Sequence, residues 1–219
     1  MGTPNHLLWR RLHSLAGVMP IGLFVLIHLF NNSYALFGAE AYDAHLTWVR
    51  GLPFMTAFEW VFIYIPILFH GFLGVAMTRR GSAQFKSAPH LGNMRYILQR
   101  VSGIGVFLFV GAHVYKTRIE PWMHGEVANF QHMAEGFTEP LTVIVYMAGL
   151  LGVAYHLGNG LWTFCITWGL TVSPRSQQFM TYVSICAFLV VWLLLVNTVF
   201  AFMGMGIPVV VATGHLSAG

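Results

Sequence analysis

Charge is scarce in this sequence. Eleven Lys and Arg and seven Asp and Glu serve 219 residues. That is 8% of the chain, against roughly 25% in an ordinary soluble domain. So few charges exclude a wetted soluble globule and a disordered chain. The net excess of +4 is spread too thinly for a nucleic-acid-binding domain. Cysteine is nearly absent: Cys165 and Cys186 both sit in apolar stretches. They make neither a disulfide framework nor a metal knot, and no CxxCH marks covalent haem. A cleavable signal peptide is lacking too, because the first apolar run is too long, contains His28 and has no small-x-small site. Low-complexity tracts and a separate soluble region are missing, so residues 1–219 read as one transmembrane domain. What is plentiful is apolar: 57% hydrophobic residues, with 18 Phe, 7 Trp and 8 Tyr, the composition of a polytopic membrane protein.

Five segments are long enough to cross a hydrocarbon core, which needs about 20 helical residues. They lie near 12–37, 55–79, 95–118, 139–170 and 177–204, the fourth being overlong and so tilted or protruding. The fold class is an all-α membrane protein. With the N-terminus cytoplasmic, the inner segments carry Arg10, Arg11, Arg79, Arg80, Lys86, Arg95, Arg100 and Arg175, and the outer ones only Arg50, Lys116 and Arg118. Eight against three favours that orientation, which puts the C-terminus outside. The acids Glu40, Asp43, Glu59, Glu120, Glu126, Glu135 and Glu139 then fall at or beyond the outer boundary. Residues 119–138 form an outer loop with room for a short surface helix.

Eleven histidines divide into two classes. His6, His45, His90, His124, His132 and His215 fall in loops or tails, and His13 lies at the inner edge of the first span. His28, His70, His113 and His156 lie one per helix inside the first four spans, 42, 43 and 43 residues apart. An ionisable side chain inside a bilayer is costly and functional by default. Helical rise puts His28 roughly 12 Å from the outer end of its helix and His113 roughly 10 Å from Glu120. His70 lies about 14 Å from Arg79, and His156 about 25 Å in from Glu139. His28 and His113 therefore share an outer level, and His70 and His156 an inner one. In an up-down bundle the first and third helices are diagonal, as are the second and fourth. Each pair then faces across the centre, the geometry of bis-histidine haem ligation. Mononuclear zinc would want three or four ligands at one level, and a proton relay would want deep acids.

Small residues share the histidine faces. Gly149, Gly152 and Gly160 form a stripe with His156, Gly74 follows His70 by one turn, and Pro66 precedes it by one. Ser14 and Gly17 precede His28, and Ser102 precedes His113, by near-whole numbers of turns. Clearance for a flat macrocycle is the reading preferred over plain helix packing, because the stripes include the histidines.

The stretches RRLHSLAGVMPIGLFVLIHLFNNS (10–33), HGFLG (70–74), LQRVSGIGVFLFVGAHVYKTR (98–118) and YHLGNGLWTFCITWGLTVSPRSQ (155–177) carry a resemblance. The chain resembles, over essentially its whole length, the cytochrome b558 di-haem membrane anchors of the succinate dehydrogenase (succinate:quinone oxidoreductase) family. The resemblance implies five helices, the first four around two haem b groups, and axial ligands at His28 and His113 (outer) and His70 and His156 (inner). It implies a flavoprotein subunit that oxidises succinate and an iron–sulfur subunit at the cytoplasmic face, in a bacterial inner membrane. Electrons would pass from the iron–sulfur subunit to the inner haem, the outer haem and then quinone, with menaquinone the expected type. No dicarboxylate active site belongs to this chain.

Arg10, Arg11, His13, Ser14, Arg95 and Arg100 form a basic inner rim, available to haem propionates or to the iron–sulfur subunit; the positive-inside bias alone accounts for them equally well. His45 lies in an outer loop near the proposed quinone region, and Trp162 and Trp168 are candidates to line the inner haem. Glu59 precedes His70 by three turns and sits roughly 16 Å further out, near the outer haem level, as a candidate proton carrier for quinone. Asn31 and Asn32 follow His28 by one turn as candidate hydrogen-bond partners for quinone or a propionate. The bland alternatives are a first-turn acid favoured by the macrodipole and helix-capping asparagines. Two rival functions remain: the equivalent anchor of a quinol:fumarate reductase, and a haem or metal transporter, which would need paired broken helices. A structural anchor or gated receptor without cofactor is a third.

Overall fold

The computed structural model describes residues 4–80 and 91–206. Lys86, His90 and His215 lie outside them. All regular structure among the described residues is helical. Five helices are long and apolar enough to cross a membrane: Leu7–Phe37, Met55–Arg79, Asn93–Met123, Pro140–Thr167 and Pro174–Phe202. We call them the first to fifth spans.

Their ends differ from the hydropathy reading for local reasons. The first span starts early because helix Pro4–Ala16 carries His6, Trp9, Arg10 and Arg11 on helical backbone before the apolar run begins. It kinks where Pro20 withholds an amide and Met19 leaves helical angles (φ −130°, ψ 114°). The third span runs late because a wide turn over Tyr115–Ile119 leads into Glu120–Met123. The fourth stops at Thr167. Gly169 takes φ +69° there, and Leu170 N donates to the Cys165 carbonyl at 2.8 Å, closing the helix end. Ser173 then caps the fifth span, exchanging hydrogen bonds with Ser176 just ahead of Pro174.

The first four spans form a square. The first packs on the second and fourth, and the third on the second and fourth. First and third are therefore diagonal, as are second and fourth. The fifth span stands outside the square against the fourth. Gly158 makes that approach possible: Ser184 Oγ donates to its carbonyl at 2.7 Å, and a Cβ at Gly158 would lie 2.9 Å from the Ser184 carbonyl oxygen.

One end of the square is basic, carrying Arg10, Arg11, Arg79, Arg95, Arg100 and Arg175. The other is capped by two helices: Ala39–Arg50, which the sequence reading had as a loop, and Phe130–Gly136, the short surface helix for which it left room in 119–138. His45 and His132 are thus helical, and only His124 keeps a turn conformation. Asp43 accepts from the Phe130 amide at 2.8 Å and Arg50 donates to the Ala128 carbonyl at 2.7 Å, tying the caps together. Beneath them lies a buried cluster of Tyr42, Phe137, Tyr146, Leu150, Val199 and Phe202. Large apolar side chains elsewhere point outward, Leu108, Ile144 and Phe179 among them, as lipid contact requires.

Gly158→Val is expected to separate the fourth and fifth spans and to cost about 1–3 kcal/mol by overpacking. The check is thermal inactivation of detergent-solubilised protein; an unchanged midpoint would contradict this account of the interface.

Candidate cofactor site

The square turns one histidine of each span toward its centre. His28 and His113 face each other with ring centroids 5.7 Å apart and planes at 84°. His70 and His156 face each other at 6.1 Å and 87°. The diagonal pairing read from depth is the one the helices make. Two metal–imidazole bonds of about 2 Å hold facing ring centroids about 6 Å apart. Both pairs therefore have the spacing of one metal between two rings. Among the described residues no group of three or more His, Cys, Asp or Glu side chains converges.

Hydrogen bonds orient the rings. His70 Nδ1 lies 2.9 Å from the His13 carbonyl, and His156 Nδ1 3.2 Å from the Gln99 carbonyl. A carbonyl only accepts, so the His70 contact puts the hydrogen on Nδ1 and leaves Nε2 its lone pair; His156 Nδ1 also has the Gln99 side-chain nitrogen, a donor, at 3.2 Å. Ser102 Oγ also lies 3.2 Å from His156 Nδ1. Asn159 donates to the Gln99 side-chain oxygen at 2.7 Å, and the Gln99 amide donates to the His156 carbonyl at 3.1 Å. His113 Nδ1 contacts the Tyr146 hydroxyl at 3.1 Å. His28 differs: its Nε2 lies 3.3 Å from Asn32 Nδ2, which donates to the His28 carbonyl at 2.8 Å. Gln99 and Tyr146 escaped the sequence reading, since each works through a helix more than 30 residues away.

Glycines set how closely the rings approach backbone. A Cβ on Gly17 would lie 2.5 Å from His70 Cε1, one on Gly103 2.8 Å from His156 Cε1, and one on Gly74 3.0 Å from His13 Nε2. The stripe on the fourth span does something else. Gly149 is filled by the Phe109 ring, Gly152 faces Val106 and Gly160 faces Gln99. For that stripe helix packing replaces the clearance reading; the fourth span's glycines admit the third.

Both pairs line one cavity of about 1940 Å³ running from Arg10 to Glu59. That exceeds the roughly 300–1,000 Å³ of a single ligand pocket. At the basic end Arg10, His13, Ser14, Arg95, Arg100 and Trp162 line it. His13 stacks on His70 at 3.9 Å, Arg95 lies over Trp162 at 4.5 Å and Arg100 over Tyr96 at 3.9 Å. Arg11 lies 5.5 Å from the Trp168 ring, and neither residue lines the cavity. At the capped end Asn31, Asn32 and Glu59 line it. Neither asparagine caps a helix; the Asn31 side-chain oxygen contacts His45 Nε2 at 3.0 Å, and the Asn32 side-chain oxygen accepts from Tyr42 at 3.2 Å. Burial pushes the Tyr42 hydroxyl up to about 12, so it stays a donor, and pulls His45 below the usual histidine range. His45 stacks on Tyr34 at 3.7 Å rather than standing free in solvent. Glu59 is paired with Arg118 at 2.9 Å, a partner 59 residues away that the sequence did not suggest.

The residues present fit haem. Two opposed imidazole pairs, three of four with Nδ1 engaged, line a large, mostly apolar cavity with Arg10, Arg95 and Arg100 at one end and Arg50 and Arg118 at the other.

Residues 77–196 match the family model for the succinate dehydrogenase/fumarate reductase transmembrane subunit. The succinate dehydrogenase cytochrome b558 subunit of Bacillus subtilis (strain 168) is 41% identical over 194 residues, covering 89% of this chain and 96% of the relative.

Gly103→Val is expected to displace the His156 ring, while Gly105→Val, with nothing within 4 Å of its Cβ, does not. In haem-loaded membranes the first variant should lose the absorption of one haem and the second none. Equal haem content in both would contradict the close-approach argument.

Proposed function

The chain belongs to the succinate dehydrogenase/fumarate reductase transmembrane-subunit family, and from that premise we propose its role: the membrane-anchor cytochrome b subunit of a succinate dehydrogenase. The observation that carries this reading is the pair of opposed imidazole couples at two levels of one cavity. The relative's name favours succinate oxidation over the fumarate reductase alternative. A transporter role finds no counterpart in either match.

Two haem b groups fit the two couples, His70 with His156 and His28 with His113. Bound there, haem supplies one-electron carriage between an iron–sulfur subunit and a quinone. The chain's own residues do the rest. The His13 and Gln99 carbonyls engage Nδ1 of the basic-end rings, leaving Nε2 for iron. The apolar cavity wall excludes water and lowers the local dielectric. Arg10, Arg95 and Arg100 supply positive charge where propionate carboxylates would sit. Arg11, turned to Trp168, is assigned to partner docking instead. At the capped end Glu59 exchanges a proton at its carboxylate with quinone oxygen, Arg118 orients it, and Asn31 offers an amide donor, while the Asn32 amide is taken by the His28 carbonyl.

The positive-inside bias puts the basic end in the cytoplasm of a bacterial cell, facing the iron–sulfur subunit, and the capped end outside. Succinate chemistry is assigned to the flavoprotein partner. Menaquinone is the assigned quinone, on the family resemblance alone.

Two haems per chain, both low-spin and bis-imidazole, are the expected content. Replacing His70 or His156 should remove one component, and replacing His28 or His113 the other, in optical and paramagnetic spectra of the complex. Loss of the same component from both pairs would overturn the assignment.

Glu59→Gln keeps shape and removes the charge. Quinone-linked turnover is expected to fall by roughly ten- to a hundredfold, with both haems retained and succinate still reducing the basic-end one. Unchanged turnover would refute the proton-carrier role.

A further inference from the structure

The oriented histidines do not share one kind of partner. At the basic end both Nδ1 atoms meet main-chain carbonyls. At the capped end His113 Nδ1 meets a side chain, the Tyr146 hydroxyl, at 3.1 Å. A carbonyl dictates the ring tautomer, whereas a phenol donates or accepts as its partner requires.

Tyr146 is held where that choice matters. It is 8% exposed. Phe109 packs edge-on at 5.4 Å and Phe137 at 4.9 Å, with Leu150 in the same buried cluster. A phenylalanine would fill that space equally well, so packing does not explain the hydroxyl. The hydroxyl's setting does. His113 stands on one side, and Tyr146 also lines a polar chamber of about 280 Å³ beside Lys116, Glu120, His132, Glu135 and Glu139.

We propose that Tyr146 is the positioning residue that sets the electron-donating strength of His113, with its hydroxyl oxygen accepting the hydrogen bond from His113 Nδ1. The proposal rests on the reading of His113 as a haem ligand. With Nε2 on the iron, Nδ1 carries its hydrogen and donates, so the hydroxyl accepts and its own hydrogen turns toward the chamber. An acceptor behind Nδ1 makes the imidazole a stronger donor to iron. A stronger donor favours ferric over ferrous iron and so lowers the reduction potential. Phe137, following the Phe130–Gly136 cap, braces the tyrosine ring and links the capping helices to the ligand.

The test is a redox titration of the intact complex in membranes, followed optically, comparing wild type with Tyr146→Phe. Removing the acceptor should shift one haem midpoint positive and leave the other in place, with two haems retained. Two retained haems and no shift, a negative shift, or equal shifts of both would overturn the proposal while leaving the ligand reading intact. If Tyr146→Phe loses a haem, 3-fluorotyrosine in place of Tyr146 decides. It keeps the ring and weakens the oxygen as an acceptor, so a smaller positive shift of one midpoint is expected, and none would overturn the proposal. His113→Ala separates the two ideas: retention of two bis-imidazole haems there would overturn the ligand reading itself.

Discussion

An imidazole has two nitrogens, and the interior of a bilayer offers water to neither. A histidine buried in a span must therefore satisfy both positions from the protein or from something the protein holds. His70 and His156 meet the first demand through the His13 and Gln99 carbonyls, 2.9 and 3.2 Å away. The two rings face each other across the square with centroids 6.1 Å apart. The kinked first span, the glycines beneath the rings and the Asn159–Gln99 relay all serve that division of each ring into a fixed side and an available side.

The same constraint explains how sparingly charge is used. The ion pair between Glu59 and Arg118 lies beside the capped-end mouth of the cavity, where 17% of the Glu59 side chain is still exposed. The arginines at the other mouth lie over aromatic faces, Arg95 on Trp162 and Arg100 on Tyr96. Such contacts hold a guanidinium in an apolar setting without neutralising it. Between the mouths the cavity wall is almost wholly apolar, interrupted by the histidines and a few hydrogen-bonded amides and hydroxyls.

Much of this was legible in the sequence because helices convert spacing into depth. Intervals of 42 and 43 residues, one histidine per span, fixed two levels and two diagonal pairs before any coordinate was needed. Features made by the meeting of distant segments were not legible. Arg118 answers Glu59 from 59 residues away, and neither residue's neighbours hint at the other. Helix Ala39–Arg50 carries too many polar residues to stand out by hydropathy, and its hold comes from Tyr42 in the core and Asp43 on the Phe130 amide. The glycine stripe beside His156 was visible but ambiguous, since a missing Cβ admits a helix as readily as a ligand. Only the Phe109 ring against Gly149 shows which. Gly103, which does meet His156, sits on the neighbouring third span and shares no sequence pattern with it.

The two ends of the bundle differ in what holds their histidines, and the difference reaches into heredity. A main-chain carbonyl is present whatever residue occupies positions 13 and 99, so no single codon change there deletes the acceptor behind His70 or His156. Asn32 and Tyr146 act through side chains, and one nucleotide can remove either. At the basic end His70 Nδ1 rests on a main-chain carbonyl, while His156 Nδ1 is also met by Ser102 Oγ. The capped-end pair is open to gradual adjustment, so relatives that share this scaffold can diverge in the properties of one level while the other stays constant.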